Sequence, residues 1–125
     1  MARVFLDTNL YFDITKRAKG KLEPLRGNLL FISPLSAHIL FYTYKLSVPD
    51  KEVNEMQEQV GIVPLTKYIL DYALEGPTKD LEDNVQLHSA VEAECDFFLT
   101  ADKKLLNMKF FGKARIVSSL VNLVV

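Results

Sequence analysis

The chain has 125 residues, enough for one domain with a buried core. At 49% hydrophobic and 25% charged, with a net charge of −1, it is globular rather than disordered, and this balance argues against purely electrostatic, nonspecific binding of nucleic acid. The single cysteine, Cys95, excludes an internal disulfide framework and a cysteine-rich zinc site.

The N-terminal Met1-Ala2-Arg3 runs directly into an apolar segment without a leader-like stretch, and no apolar run approaches bilayer length. A soluble, cytoplasmic protein without membrane association is the expectation. Arg3 to Leu6 is the first predicted strand: short, apolar and ending abruptly at Asp7. In open α/β sheets ligands bind beyond the carboxyl ends of strands, so Asp7 is a candidate for cation binding or phosphoryl chemistry. Asp7, Thr8 and Asn9 are all favoured helix caps, and capping stands beside that reading. A helix is predicted from Asn9 to Lys16, followed by a basic segment punctuated by Gly20 and Pro24.

Leu29 to Ile32 is a second strand, after which Ser33 and Pro34 read as cap and first residue of a helix reaching about Leu46. Its apolar and aromatic residues cover more than one stripe, which predicts a largely buried helix. Pro49-Asp50 opens a polar helix through Gln59, which Gly61 stops. A short strand at Ile62-Val63, a helix from Thr66 to Glu75 and a helix from Asp80 to Glu94 follow. In the last of these, Leu81, Val85, His88 and Val91 recur about once per turn, and His88 reads as structural. Asp96 to Thr100 is a strand running into a loop, with Cys95 before it as a reduced core thiol. Ile116-Val117 is a final strand, and Ser118 or Ser119 starts a short terminal helix. Alternating strands and helices predict an α/β protein.

The acids are unevenly placed. Asp102 lies just past an apolar strand, as Asp7 does, and parallel strands would bring both to one sheet edge. Asp80 and Asp83 lie in the first turn of a predicted helix, where they complement its dipole. Asp80 suits the N-cap; Asp83 can serve both the dipole and a site at that edge, whereas Asp102 also fits a turn before Lys103-Lys104. Crowded carboxylates repel unless a cation neutralises them, and hard oxygen ligands suit Mg²⁺ or Mn²⁺. Such an ion can activate water and clamp a phosphate, the requirement of nuclease chemistry. Basic residues cluster at Lys16, Arg17, Lys19, Lys21 and Arg26 and again from Lys103 to Arg115. Solvated faces often look this way, but Lys16, Arg17, Lys103 and Lys104 are candidates to hold an RNA backbone.

Phe5-Leu6-Asp7-Thr8-Asn9, Ile32-Ser33-Pro34-Leu35-Ser36-Ala37-His38, Asp80-Leu81-Glu82-Asp83-Asn84-Val85-Gln86 and Phe98-Leu99-Thr100-Ala101-Asp102, in this order, resemble the PIN domain, the ribonuclease fold of VapC-type toxins. The resemblance implies a three-layer α/β/α sandwich around a mainly parallel sheet, filling residues 1–125 as one domain. It implies a pocket for Mg²⁺ or Mn²⁺ in which Asp7, Asp83 and Asp102 are ligands and catalytic acids. Thr8 or Asn9, and Thr100, would hold the ligands or the loop in place. The family carries a glutamate in its second motif. His38 stands there, in a helix without any acid, and is expected to be a buried or pocket-edge residue bonded to a carboxylate. The implied function is a metal-dependent endoribonuclease, as the toxin of a pair whose antitoxin protein fills the acidic site; a homodimer stays open. The loss of the second-motif acid favours the alternative, an RNA- or protein-binding module with reduced or lost turnover. An aspartate-dependent phosphatase ranks last, because that chemistry wants an aspartate where Asn9 stands.

Overall fold

The computed structural model describes residues 1–121. The terminal helix expected from Ser118 or Ser119 would run into residues 122–125, outside the described residues. A six-stranded sheet is formed by β1 (Arg3–Leu6), β2 (Leu29–Ile32), β3 (Gly61–Ile62), β4 (Phe97–Leu99), β5 (Phe110–Phe111) and β6 (Ala114–Val117). Their order is β3-β2-β1-β4-β6-β5, parallel throughout except for the antiparallel β5. The helices are α1 (Thr8–Phe12), α2 (Pro34–Tyr44), α3 (Lys51–Gln57), α4 (Lys67–Ala73), α5 (Leu81–Glu92) and α6 (Lys103–Leu106).

The period-2 pattern of the strands divides the core into two. Val4, Leu6, Leu30, Ile32, Leu99 and Val117 pack under α1 to α3 with Tyr11, Phe12, Leu40, Val53 and Met56. Phe5, Phe98 and Ile116 face the other way, onto Ile69, Ala73, Val85, Leu87, Ala90 and Leu105. Buried residues on both sheet faces require a helical layer on each, so the architecture is the expected α/β/α sandwich of PIN-like type. Phe5 and Phe98, paired in register on β1 and β4, stack with ring centroids 5.5 Å apart. Cys95 is buried at the start of this core, and desolvation pushes its thiol up to about 12.

Several elements differ from the sequence expectation. The first helix is shorter. It passes into one π-helical turn (Asp13–Arg17) and then a 3₁₀ segment (Lys19–Leu25) that tucks Leu22 and Leu25 into the core. The helix α2 is not largely buried: Ser36 and Leu40, one turn apart, form its buried stripe, while Tyr42 is 82% exposed. Gly61 does not merely end a helix but begins β3. In α5 the buried residues include Asn84, Gln86 and Ser89, whereas Leu81 and Val91 are exposed. Burial of these polar side chains is tolerated because each is bonded: Asn84 to Ala73 and Thr78, Gln86 to Thr8, Ser89 to Val85. His88 bonds the Gly76 carbonyl at 2.9 Å and packs edge-on against Phe111. The strand β5 was not foreseen. It folds back on β6 through Gly112, whose φ of +59° suits glycine and where a Cβ would lie 3.0 Å from Val91.

The Phe5–Phe98 pair locks the β1–β4 register. Phe98→Ala should lower the unfolding free energy by about 3–5 kcal/mol through lost burial and the residual cavity. Urea unfolding followed by circular dichroism measures it; a loss below about 1 kcal/mol would show that the pair is not part of a packed core.

Candidate active site

The chain moves outward from β1 to β2 and β3, then returns to place β4 on the other side of β1. The strand order thus reverses between β1 and β4, the position at which open α/β sheets form their ligand crevice. Leu6 pairs with Leu99, so the next residues, Asp7 and Thr100, emerge side by side at the carboxyl edge. The Asp7 N–H continues the ladder to the Leu99 carbonyl (3.0 Å). Both side chains are buried, and the Thr100 hydroxyl donates to Asp7 Oδ2 at 2.5 Å. The same hydroxyl oxygen accepts from the Asp102 N–H (3.0 Å), which ties the loop after β4 to the end of β1. Asp7 and Asp102 therefore share one edge.

Asp7 occupies the cap position of α1, yet its carboxylate makes no capping hydrogen bond. The first N–H of that helix, from Thr8, is taken by Gln86 Oε1 of α5 at 2.9 Å. The Thr8 hydroxyl lies 2.8 Å from Ser36 Oγ of α2. Gln86 Nε2 reaches toward Glu82 Oε1 at 3.5 Å. Asp80 caps α5 by accepting from the Asp83 N–H (2.9 Å), and Asp102 caps α6 by accepting from the Lys104 N–H (2.8 Å). A groove of about 580 Å³ opens between these caps, lined by Thr78, Lys79, Asp80, Asp83, Asp102, Lys104 and Leu105.

Burial raises the Asp7 pKa above its ordinary value; the Thr100 hydroxyl and the backbone N–H groups of Thr8 and Asn9 oppose this, and the Asp102 charge adds to it. Asp83 is pushed up to about 6 by burial first, then by the charges of Asp80, Asp7, Asp102 and Glu82. Glu82 is raised by burial and by Asp80 and Asp7, with the Thr8 hydroxyl opposing. These carboxylates thus repel one another through a partly desolvated space. Their oxygen donors are those a hard cation takes. Among the described residues, however, no three or more histidine, cysteine or acidic side chains stand close enough together to hold a metal ion as they are.

Other candidates are placed elsewhere. His38 is exposed and bonded to no carboxylate among the described residues; it lies two residues beyond Ser36, so the helix turns it about 200° from the face that meets Thr8. It is not buried, and it does not line the acidic groove. Asn9 is exposed and borders a separate cavity of about 270 Å³ with Leu10 and Asp13 rather than the acidic groove. Lys16 is not available for a backbone phosphate: its ammonium binds Asp50 (2.8 Å) and Glu52 (2.9 Å). Arg17 is paired with Asp13 (2.8 Å) and bonded to the Asn9 carbonyl, while Lys19 pairs with Glu52, Lys21 with Asp13 and Arg26 with Glu23. Lys103 and Lys104 are exposed, with no ion-pair partner among the described residues. The sequence reading did not assign Ser36, Glu82 and Gln86 to the site. All three lie inside the motif segments quoted above, but nothing in those segments distinguishes them from other polar helix residues.

No family model matches the sequence, and no curated protein matches it. Among solved structures, a chain from the crystal structure of VapBC2 from Rickettsia felis, bound to a DNA fragment from their promoter, is similar with a TM-score of 0.66. The identity is 14%, over 92% of this chain and 97% of that one. The likeness establishes the fold. No helix among the described residues is long and apolar enough to cross a membrane.

The raised Asp83 pKa carries a pH signature in the metal-free protein. The folded state holds this proton more tightly than the unfolded chain, so the group favours folding fully below its ordinary value of 3.8. That contribution should be lost as pH rises from 3.8 to about 6 and stay lost above. Melting of wild type and Asp83→Asn across this range, in chelator, tests it. The variant should gain stability relative to wild type toward neutral pH; parallel curves would show that Asp83 is not in a repulsive cluster.

Proposed function

We propose that the chain is a divalent-metal-dependent endoribonuclease of PIN type and the toxin of a toxin–antitoxin pair. One observation carries the reading: a buried aspartate at the β1–β4 switch point, with Asp80, Glu82, Asp83 and Asp102 all acting on the same space. Asp7, Asp83 and Asp102 would hold the ion, Mg²⁺ or Mn²⁺, in keeping with a donor set made of oxygen. Such an ion would supply electrostatic activation of water and of the scissile phosphate. Thr100 fixes the Asp7 carboxylate and the Asp102 backbone together, so two of the three acids keep a set relation. Lys104 lines the groove, where its cation would hold an RNA backbone, and Lys103, next to it in the chain, is exposed and could add to this. The fold likeness to a VapBC2 chain supports an antitoxin protein as the partner.

A second reading is favoured by α2. The residue it turns toward Thr8 is Ser36, and the helix carries no acid to complete a fourth carboxylate. A site with fewer negative charges would bind RNA or a protein with slow or absent cleavage.

Purified protein with mixed RNAs in Mn²⁺, Mg²⁺ or chelator separates the two. Cleavage should require the ion, and Asp7→Asn should reduce it by about 100-fold or more. Because the substitution removes a buried, repelled charge, the apo melting temperature should hold or rise. Cleavage that survives unchanged in Asp7→Asn would place the chemistry elsewhere; RNA bound but uncut would favour the binding module. His38→Glu puts an acid where the family motif has one but on the exposed face of α2. It should change neither Mn²⁺ affinity by calorimetry nor cleavage, and a tightened affinity would overturn this placement of His38.

A further inference from the structure

The end of the chain that builds α6, β5 and β6 carries cations that nothing answers. Lys103, Lys104, Lys109, Lys113 and Arg115 are exposed, with no ion-pair partner among the described residues. In the sheet, Arg115 of β6 stands opposite Phe97 of β4 on one side and Phe110 of β5 on the other. Residues opposite one another share a sheet face, so Phe97, Arg115 and Phe110 form one row. Phe97 and Val117 meet the core under α1 to α3 on this face, but that layer stops short of the margin. Phe97 is half-buried, Arg115 is exposed and Phe110 is 58% exposed. Asp96, the acid beside Phe97, accepts from the Arg3 N–H at 2.9 Å and makes no ion pair with Arg115. The chain runs from Lys104, in the wall of the acidic groove, through Lys109 into Phe110.

We propose that the Phe97–Arg115–Phe110 row, with Lys109 beside it, is a binding platform for single-stranded RNA bound at the groove. The inference rests on RNA as the ligand in the function proposed above. Rings and a guanidinium in one row, flanked by free cations, match a ligand that carries both flat faces and negative charge. Unpaired bases stack on aromatic rings and on guanidinium planes, while the phosphates between them meet lysine and arginine. A duplex keeps its bases stacked on one another and offers the rings no face. An acidic protein segment would answer the cations but not the rings.

The probe is a short, fluorescently labelled single-stranded RNA of mixed sequence, bound in chelator so that no ion and no cleavage is involved. Affinity is read by anisotropy from about 50 to 200 mM salt for wild type, Phe110→Ala, Phe110→Tyr, Lys109→Gln, Arg115→Gln and Arg26→Gln. Arg26 is the control, a cation of the basic segment already paired with Glu23. Phe110→Ala should weaken binding about 10-fold at every salt concentration and leave the salt slope unchanged, and Phe110→Tyr should restore it. Lys109→Gln and Arg115→Gln should each weaken binding and lower the slope of log affinity against log salt by about 0.7. Arg26→Gln should do neither. Wild-type affinity in Phe110→Ala would overturn the inference. So would an RNA duplex bound as tightly as the single strand, or poly-glutamate competing as well as RNA at equal charge, which would make the ligand an acidic protein. RNA bound through this row yet never cut with Mn²⁺ would uphold the inference while the nuclease reading fails. RNA cut by wild type but bound without regard to Phe110 and Arg115 would overturn the inference and leave the nuclease standing. No RNA binding by wild type would overturn both.

Discussion

The hydrogen bond from Thr100 to Asp7 exists only because β1 and β4 pair in one register. With Leu6 opposite Leu99, the next residue of each strand is polar and buried, and each gives the other a partner. A buried carboxylate without such a partner would be too costly to keep. A slip of one residue would turn Phe5 or Phe98 out of the core they share and carry the acid to the wrong sheet face. The apolar pattern that builds the two cores is therefore the same constraint that builds the site. Changes in one should be felt in the other.

The elements at the centre of the fold were legible in the sequence because they are apolar runs with abrupt polar ends. Parallel pairing then brought Asp7 and Asp102 to a common edge, as their shared context implied. What was hidden depends on contacts between distant residues. Ser36 and Gln86 meet Thr8 across separations of 28 and 78 residues, and nothing local marks either as more than a helix polar residue. His38 drew attention by its chemistry, but helical phase, not chemistry, decides what a side chain faces. The strand β5 is two residues long, too short for any periodicity to show. The exposure of α2 beyond Leu40 likewise followed from where the helix runs, not from its composition.

Charge is the clearest case of sequence proximity misleading. The run from Lys16 to Arg26 looks like a basic patch, yet acids from the same segment and from around α3 answer it. Lys16 in particular holds Asp50 below its ordinary pKa while Asp50 caps α3, so this cation anchors one helix to the turn after another. At the carboxyl edge the reverse holds. Asp7, Glu82 and Asp83 all have raised pKa values, and Asp80, Asp7, Asp102 and Glu82 add their negative charges to the effect of burial on Asp83. The molecule satisfies its acids where they support structure and leaves them in mutual repulsion at the switch point.

The two margins of the sheet, β3 and β5, are each only two residues long. A strand laid against either would find very few main-chain groups to pair with, and short edges of this kind are how β-proteins avoid templating their neighbours. Lateral growth of the sheet is thus disfavoured as a mode of assembly. Any macromolecule that binds this protein tightly must read its helices, its loops and its side chains, so recognition will be sensitive to point substitutions on those surfaces and indifferent to the backbone of the sheet.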